Sequence, residues 1–169
     1  GCLLLISGLH FKGLDHPRLN RMAAIAANTG LLVGVPELAD FKDLTIRPTV
    51  IQDARAALER LIEHPKRKHK IGIMAVSFGS LPAVSLACSP ELKQHLGGVL
   101  TFGGYTNWPE VMRWTLGSDP DGPSDSVNYP VVFKLLSQHW SGIMADGQVI
   151  AQWNQYIRST WNIEDLPAE

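Results

Sequence analysis

The chain has 169 residues, which is enough for one domain with a sizeable core. Hydrophobic residues make up 45% of it, charged residues only 18%, and the formal net charge is −1. No basic stripe with interleaved aromatic residues is present, which argues against nucleic-acid binding. No stretch reaches the roughly 18 apolar residues of a membrane span. We predict a cytoplasmic protein that binds small molecules, with its two cysteines, Cys2 and Cys88, packed as small buried hydrophobes.

Four apolar strands separated by helices are predicted in the first 105 residues, at 3–6, 31–35, 71–76 and 99–102. Continuous apolar strands of this kind are typical of a parallel sheet that is covered on both faces. We therefore predict an α/β fold, a three-layer αβα sandwich with a mostly parallel sheet.

Helix signals lie between these strands. The first helix is predicted to start near Asp15 and to end at Gly30. Thr49 and Gln52 form a predicted capping box at the start of the second helix. The third helix follows Ser77 directly, and Pro82 lies about five residues into it, where a proline costs a backbone hydrogen bond.

The composition changes after Tyr105, because all five tryptophans come later. Helices are predicted to start at 107–110 and to run over 131–140 and 148–160. The acidic loop 119–125 lacks the alternation and the distal Glu of a calcium loop. We interpret residues 1–105 as the core and residues 106–169 as a helical cap or insertion over the sheet.

The most informative motif is Ala75-Val76-Ser77-Phe78-Gly79, where an apolar strand runs straight into a helix. A serine at such a turn forms a nucleophile elbow, which lifts its hydroxyl above a parallel sheet. The residues two before and two after the serine lie under the strained turn and must be small, as Ala75 and Gly79 are. The motif predicts acyl-transfer chemistry, although serine is also a common helix cap.

Three further segments extend this pattern: Leu4-Leu5-Ile6-Ser7-Gly8, residues 26–36, and residues 99–105. With the elbow, they make residues 1–105 resemble the α/β-hydrolase superfamily, and within it the dienelactone-hydrolase-like branch. The resemblance implies a partial α/β-hydrolase fold and a serine hydrolase of carboxylic esters, thioesters or lactones, without a cofactor. It implies that Ser77 forms an acyl-enzyme and that the backbone N–H groups of Leu9 and Phe78 form the oxyanion hole.

The chain departs from the family pattern in two places. Many members have His-Gly where this chain has Ser7-Gly8. In the family the acid and then the histidine follow the nucleophile, after the later strands of the sheet. We therefore expect this chain to be part of a larger protein, lacking the first strands and the carboxyl-terminal acid and histidine.

Other candidates for the missing groups are present. His139 with Asp146 or Asp165 is an alternative base and acid, in the reverse of the family order. His10, beside the predicted oxyanion donor Leu9, is a candidate substrate contact. No histidine pair has the H-E-x-x-H spacing of a metal site.

Two rival functions stay open. One is a catalytically inactive α/β-hydrolase-like protein that binds a small molecule. The other is a doubly wound nucleotide-binding domain, although the turn at 7–13 lacks G-x-G-x-x-G and the chain has no Walker lysine motif. A parallel sheet with open edges also predicts self-association.

Overall fold

The computed structural model describes residues 1–105, 107–115, 129–139 and 147–161. The chain divides into two compact units, Gly1–Thr106 and Asn107–Glu169. Among the described residues, no helix is both long and apolar enough to cross a membrane.

The first unit is built on four parallel strands. They are β1 (Cys2–Ile6), β2 (Leu32–Gly34), β3 (Ile71–Val76) and β4 (Leu96–Phe102). Their order across the sheet is β2-β1-β3-β4. The predicted α/β fold with a parallel sheet is confirmed. Because the order reverses between β1 and β3, the loops after these two strands leave in opposite directions and open a crevice at the carboxyl ends of the strands.

Five α-helices connect or follow the strands of this unit. They are α1 (Pro17–Asn28), α2 (Ala39–Lys42), α3 (Thr49–Glu63), α4 (Ser80–Cys88) and α5 (Pro90–Lys93). Short 3₁₀ turns at Gly13–Asp15 and Ser77–Gly79 precede α1 and α4.

The two faces of the sheet differ in burial. On β3, Ile71, Ile73 and Ala75 are buried, while Met74 and Val76 are half-buried. Side chains alternate between faces along a strand. The buried face lies under α3 and α4, which also contact each other. The other face is the side of α1, because Met74 and Val76 line a cavity together with residues of that helix.

Most of the predicted helix starts and ends were confirmed, and the structure explains how α4 accommodates Pro82. Pro17 is the first residue of α1, and Gly30, just past its end, has a φ of +84° that suits glycine. Pro82 lies only three residues into α4, because the 3₁₀ turn takes up the residues after Ser77. The first turn of a helix has no internal partner for its N–H groups, so the proline costs little there.

The predicted capping box was wrong. Pro48 is the N-cap of α3, and Thr49 is its first residue. The Thr49 hydroxyl donates to a carboxylate oxygen of Asp40 instead. The carboxylate of Asp40 is held beside the helix start, and it accepts a stronger bond than a capping hydroxyl makes with a backbone N–H.

The cysteine prediction was half right. Cys2 in β1 is buried, whereas Cys88 at the end of α4 is exposed. The sequence around Cys88 is apolar, which is why burial was predicted. Cys88 is, however, the last residue of α4 and falls outside the face of that helix that packs on the sheet. Neither cysteine forms a disulfide.

The second unit is helical in its described parts. It contains α6 (Trp108–Thr115), α7 (Tyr129–His139) and α8 (Gly147–Trp161). Val131, Val132 and Ile157 are buried where α7 and α8 contact each other. The rings of Phe133 and Trp153 stack with centroids 6.1 Å apart across the same pair of helices. The predicted loop 119–125 lies outside the described residues.

Candidate functional site

Ser77 occupies the turn between β3 and α4 in a strained backbone conformation. Its φ is +51°, in the left-handed region that residues other than glycine rarely adopt. Two described residues other than glycine have a positive φ, and the other is Leu44. Strain of this kind persists only where the surrounding structure enforces it, and it concentrates at functional sites.

The surroundings that enforce the turn are two close backbone approaches. A Cβ atom on Gly79 would lie 2.5 Å from the carbonyl oxygen of Ser7 and 3.0 Å from that of Ile6. A Cβ atom on Gly8 would lie 3.2 Å from both Cβ of Ser77 and the carbonyl oxygen of Val76. The loop after β1 therefore packs directly against the turn after β3. Glycine is required at position 79, and a Cβ atom at position 8 would make an unusually tight contact.

A cavity of about 540 Å³ opens beside Ser77 at the carboxyl ends of β1 and β3. This is the place where the sheet order reverses and where open α/β sheets bind ligands. The volume falls within the usual range of small-molecule sites. Most of its lining is apolar, from the loop after β1, helix α1 and strands β3 and β4: Leu9, Leu19, Met22, Met74, Val76 and Phe102.

The polar part of the cavity lining comes from the same elements. Besides Ser77 and Ser7, it includes His10, His16 and Arg18. His10 follows the predicted oxyanion donor, while His16 and Arg18 flank the first residue of α1. Arg18 makes no ion pair with another described residue.

The two predicted oxyanion donors lie on the loops that meet at this cavity. Leu9 follows Gly8 after β1, and Phe78 follows Ser77 after β3. Their side chains are buried, with 6% and 2% of their surface exposed. Burial fixes each peptide in place, which a preorganised donor requires. Their assignment as an oxyanion hole stays a prediction.

A third loop, the one after β4, also supports the turn. The Tyr105 backbone N–H donates to Oγ of Ser80 at 2.9 Å, and this hydroxyl lies 3.3 Å from the Tyr105 carbonyl oxygen. The rings of Phe78 and Tyr105 meet edge to face with centroids 5.8 Å apart. A Cβ atom on Gly104 would come within 2.8 Å of Cβ of Ser80. The helix that follows Ser77 is thus anchored at its first residue.

Sequence reasoning missed several residues at this site. Four residues that line the cavity or support the turn were not singled out from the sequence: His16, Arg18, Ser80 and Phe102. The available signal was topological: Pro17 places His16 at the start of the helix that follows β1. The first turn of that helix lies beside the carboxyl end of β1, where the site is.

The alternative base and acid are not tested by the structure. His139 is the last residue of α7, and its side chain lies outside what is described. Asp146 and Asp165 also lie outside the described residues. Over the described ranges, no group of three His, Cys, Asp or Glu side chains is arranged to hold a metal ion.

The hydroxyl of Ser77 has no hydrogen-bond partner among the residues that the structure describes. Ser77 is half-buried and faces the cavity. A serine hydroxyl is a weak nucleophile until a base accepts its proton. The described residues therefore supply a strained serine that faces a cavity, together with candidate hydrogen-bond donors for a negatively charged group.

Comparisons with models of protein families, with curated proteins and with solved structures found no match. The class of protein rests on the fold and on the geometry of the site. The chain is an α/β protein with a parallel sheet, and it carries a serine on a strained strand-to-helix turn at the point where the sheet order reverses.

Proposed function

We propose that this protein is a serine hydrolase of the α/β-hydrolase type, acting on carboxylic esters, thioesters or lactones. The observation that carries the proposal is the position of Ser77, which has a φ of +51° at the end of β3 and faces a cavity. A strained serine between strand and helix that faces a cavity is the arrangement of a nucleophile elbow. Gly79 supports it, since a Cβ atom there would clash with the backbone after β1, and Gly8 supports it because a side chain there would be crowded against the turn.

In the proposed reaction, Oγ of Ser77 attacks the carbonyl carbon of the substrate. The carbonyl oxygen becomes an oxyanion, which the N–H groups of Leu9 and Phe78 stabilise. Each such donor lowers the barrier by about 3 kcal/mol in a well-aligned site. The tetrahedral intermediate collapses to an acyl-enzyme and expels the alcohol or thiol. Water then attacks the acyl carbon, which releases the acid and restores Ser77.

The Ser77 proton must pass to a general base, which is a histidine in the family that the chain resembles. His10 and His16 line the same cavity. Each, however, accepts a backbone N–H at Nδ1, and neither bonds to Ser77. Neither histidine is therefore assigned as the base, and His139 remains a candidate.

A second function is favoured by one observation. Oγ of Ser77 has no hydrogen bond to any described residue, so no assembled nucleophile and base are present in this part of the chain. A protein that binds an ester-like molecule without cleaving it also needs the apolar cavity. This alternative is a catalytically inactive α/β-hydrolase-like binding protein.

Labelling with a fluorophosphonate tests the proposal, because this probe reacts with activated serines. We expect one adduct in the intact mass of the protein, absent from Ser77→Ala. Ser85→Ala is the matched control, because Ser85 lies on α4 and its hydroxyl donates to the carbonyl oxygen of Leu81 at 2.8 Å. Absence of any adduct, together with equal binding of an ester analogue by wild type and Ser77→Ala, would favour the binding protein.

A further inference from the structure

Two histidines beside the site are fixed in one tautomer by backbone bonds. The Lys12 backbone N–H donates to Nδ1 of His10 at 3.1 Å, and the Arg18 backbone N–H donates to Nδ1 of His16 at 3.2 Å. A ring nitrogen that accepts a hydrogen bond carries no proton. In the neutral form of each imidazole, the proton is therefore on Nε2.

The second of these bonds also caps a helix. His16 is the N-cap of α1, and the N–H that it accepts belongs to the first turn, where backbone N–H groups lack internal partners. Histidine is an unusual N-cap, since short oxygen-bearing side chains are preferred there. Besides capping α1, the side chain of His16 contacts the ring of His10.

The two imidazoles join the loop after β1 to helix α1. Their ring centroids lie 4.4 Å apart with the planes at 79°. Backbone bonds close the intervening turn, from the Gly13 N–H to the His10 carbonyl oxygen and from the His16 N–H to the Gly13 carbonyl oxygen. His10 is consequently held from both sides, by the turn and by the ring of His16.

Leu9 lies in the chain between Gly8, which is close to the strained Ser77, and His10, which is held by the turn and by the ring of His16. On one side, a Cβ atom added to Gly8 would lie 3.2 Å from Cβ of Ser77, so the backbone of Gly8 lies close to the serine. On the other side, His10 is fixed by Lys12 and His16. The Leu9 N–H belongs to the peptide group between Gly8 and Leu9. We infer that fixing Gly8 and His10 also fixes the direction of this N–H.

We propose that His10 and His16 are positioning residues, which hold the loop after β1 so that the Leu9 N–H points at the oxyanion formed at Ser77. They act mainly through Nδ1 as an acceptor, and the contact between their rings contributes a smaller part. The inference rests on the proposed function, because the direction of the Leu9 N–H affects the reaction only if Ser77 is the nucleophile.

The chain contains a matched control for His16. The segment His64-Pro65-Lys66 repeats His16-Pro17-Arg18, and the Lys66 backbone N–H donates to Nδ1 of His64 at 3.2 Å. His64 follows the end of α3 and does not line the cavity beside Ser77. Substitutions at His64 remove the same local bond without touching the site.

The test compares three substitutions at His16 with the same three at His64. The side-chain oxygen of Asn takes about the place of Nδ1, the amide of Gln reaches about the place of Nε2, and Leu supplies neither. We expect His16→Asn to react with the fluorophosphonate within about twofold of wild type. His16→Gln and His16→Leu should lose about tenfold in rate, as expected when an oxyanion donor is misplaced. The His64 variants should react like wild type.

A second readout does not depend on the reactivity of Ser77. Nitrogen-15 NMR of the imidazoles should show His10 and His16 with the proton on Nε2. Amide hydrogen exchange of Leu9 should be faster in His16→Leu and His16→Gln than in wild type and His16→Asn. Thermal unfolding of each variant identifies any that fail to fold, and the comparison of Asn with Gln is made between variants of equal stability.

Several results would overturn the inference. One is a proton on Nδ1 of His16 in the NMR spectrum. Another is a His16→Leu variant with unchanged Leu9 exchange, and a third is His16→Asn losing as much as His16→Gln. If wild type is not labelled at all, the proposed function fails, while the tautomer and the Leu9 exchange still decide whether the two histidines hold the loop.

Discussion

At the scale of single residues, the backbone of Ser77 stores strain where the proposed chemistry takes place. Its left-handed conformation turns the side chain out of the sheet and into the cavity. A glycine would adopt this conformation at lower cost, but it has no hydroxyl. The serine is therefore better explained by function than by stability.

Replacement of Ser77 by glycine should stabilise the protein. The left-handed conformation costs a residue other than glycine about 1–2 kcal/mol, and the greater freedom of glycine in the unfolded chain offsets about 0.5–1 kcal/mol of that gain. We expect the free energy of unfolding in urea to rise by up to about 1.5 kcal/mol, with loss of fluorophosphonate labelling.

Ser85→Gly is the control for this prediction. Ser85 lies within helix α4, where the same substitution should lower the free energy of unfolding by about 0.5–1 kcal/mol. A destabilised Ser77→Gly variant would show that the turn after β3 is not under strain.

At the scale of elements, Asp40 joins helix α2 to the start of α3. Its side chain, largely buried, accepts bonds from Nη1 of Arg47 at 2.9 Å and from the hydroxyl of Thr49. Its carbonyl oxygen accepts the N–H and the hydroxyl of Thr45 at 2.8 and 3.0 Å. One carboxylate thus replaces the capping box that the sequence predicts for α3.

Replacement of Asp40 by alanine should lower the free energy of unfolding by about 2 kcal/mol, because the Thr49 hydroxyl loses a charged acceptor. The ion pair with Arg47 contributes little to this loss of stability, since the Arg47 side chain is 54% exposed. Asp40→Asn, which keeps one acceptor oxygen, should fall between alanine and wild type. Urea unfolding measures all three.

The control for this prediction is Asp53→Ala, on the exposed side of α3. We expect a change within about 0.5 kcal/mol there, as for most surface substitutions. Equal effects of Asp40→Ala and Asp53→Ala would mean that the bonds of Asp40 contribute no net stability.

The elements also show where local patterns suffice. The limits predicted for β3 are those observed, because its apolar run is bounded on one side by charged residues and on the other by the turn at Ser77. Strand β4 begins three residues earlier than predicted, at Leu96, since Gly97 and Gly98 give no strand signal. Gly98 pairs with Gly72 of β3 nonetheless, and Gly97 is the extra residue at a shift of register, because pairing depends on the neighbouring strand.

At the scale of the whole molecule, β4 is the last strand in the order of the sheet and is exposed over most of its length. Leu100 and Phe102 are 61% and 73% exposed and share the face of Met74 and Val76. Exposed apolar strands at a sheet edge are sites of association.

We predict that the protein self-associates through β4. Sedimentation velocity should show a concentration-dependent rise in mass. The double variant Leu100→Lys/Phe102→Lys should weaken association at least about tenfold, since each side chain contributes about 1.5–3 kcal/mol when buried.

Ile25→Lys is the control, because Ile25 is 58% exposed and lies on α1, a helix that contacts β2 at the opposite edge of the sheet. It should leave the association unchanged. A wild type that sediments as a single monomeric species at all concentrations would contradict the prediction.

The site was predictable from sequence in part. Ser77, Gly79 and the loop at Gly8 follow apolar strands, and a parallel sheet brings the carboxyl ends of neighbouring strands to one edge. Tyr105 could not be found in this way. Its contact with Ser80 joins the loop after β4 to the start of α4, and no periodicity along the chain encodes which segments meet.

The sequence by itself determined the class of fold and the place of the strained turn. Apolar runs, helix starts at proline and small residues around Ser77 act locally, through sterics and backbone bonding, so a linear pattern records them. Only the tertiary structure decided the order β2-β1-β3-β4 and the cavity between β1 and β3. It also decided the contact of Tyr105 with Ser80, because these features depend on which distant segments pack together, and packing selects partners by shape and burial.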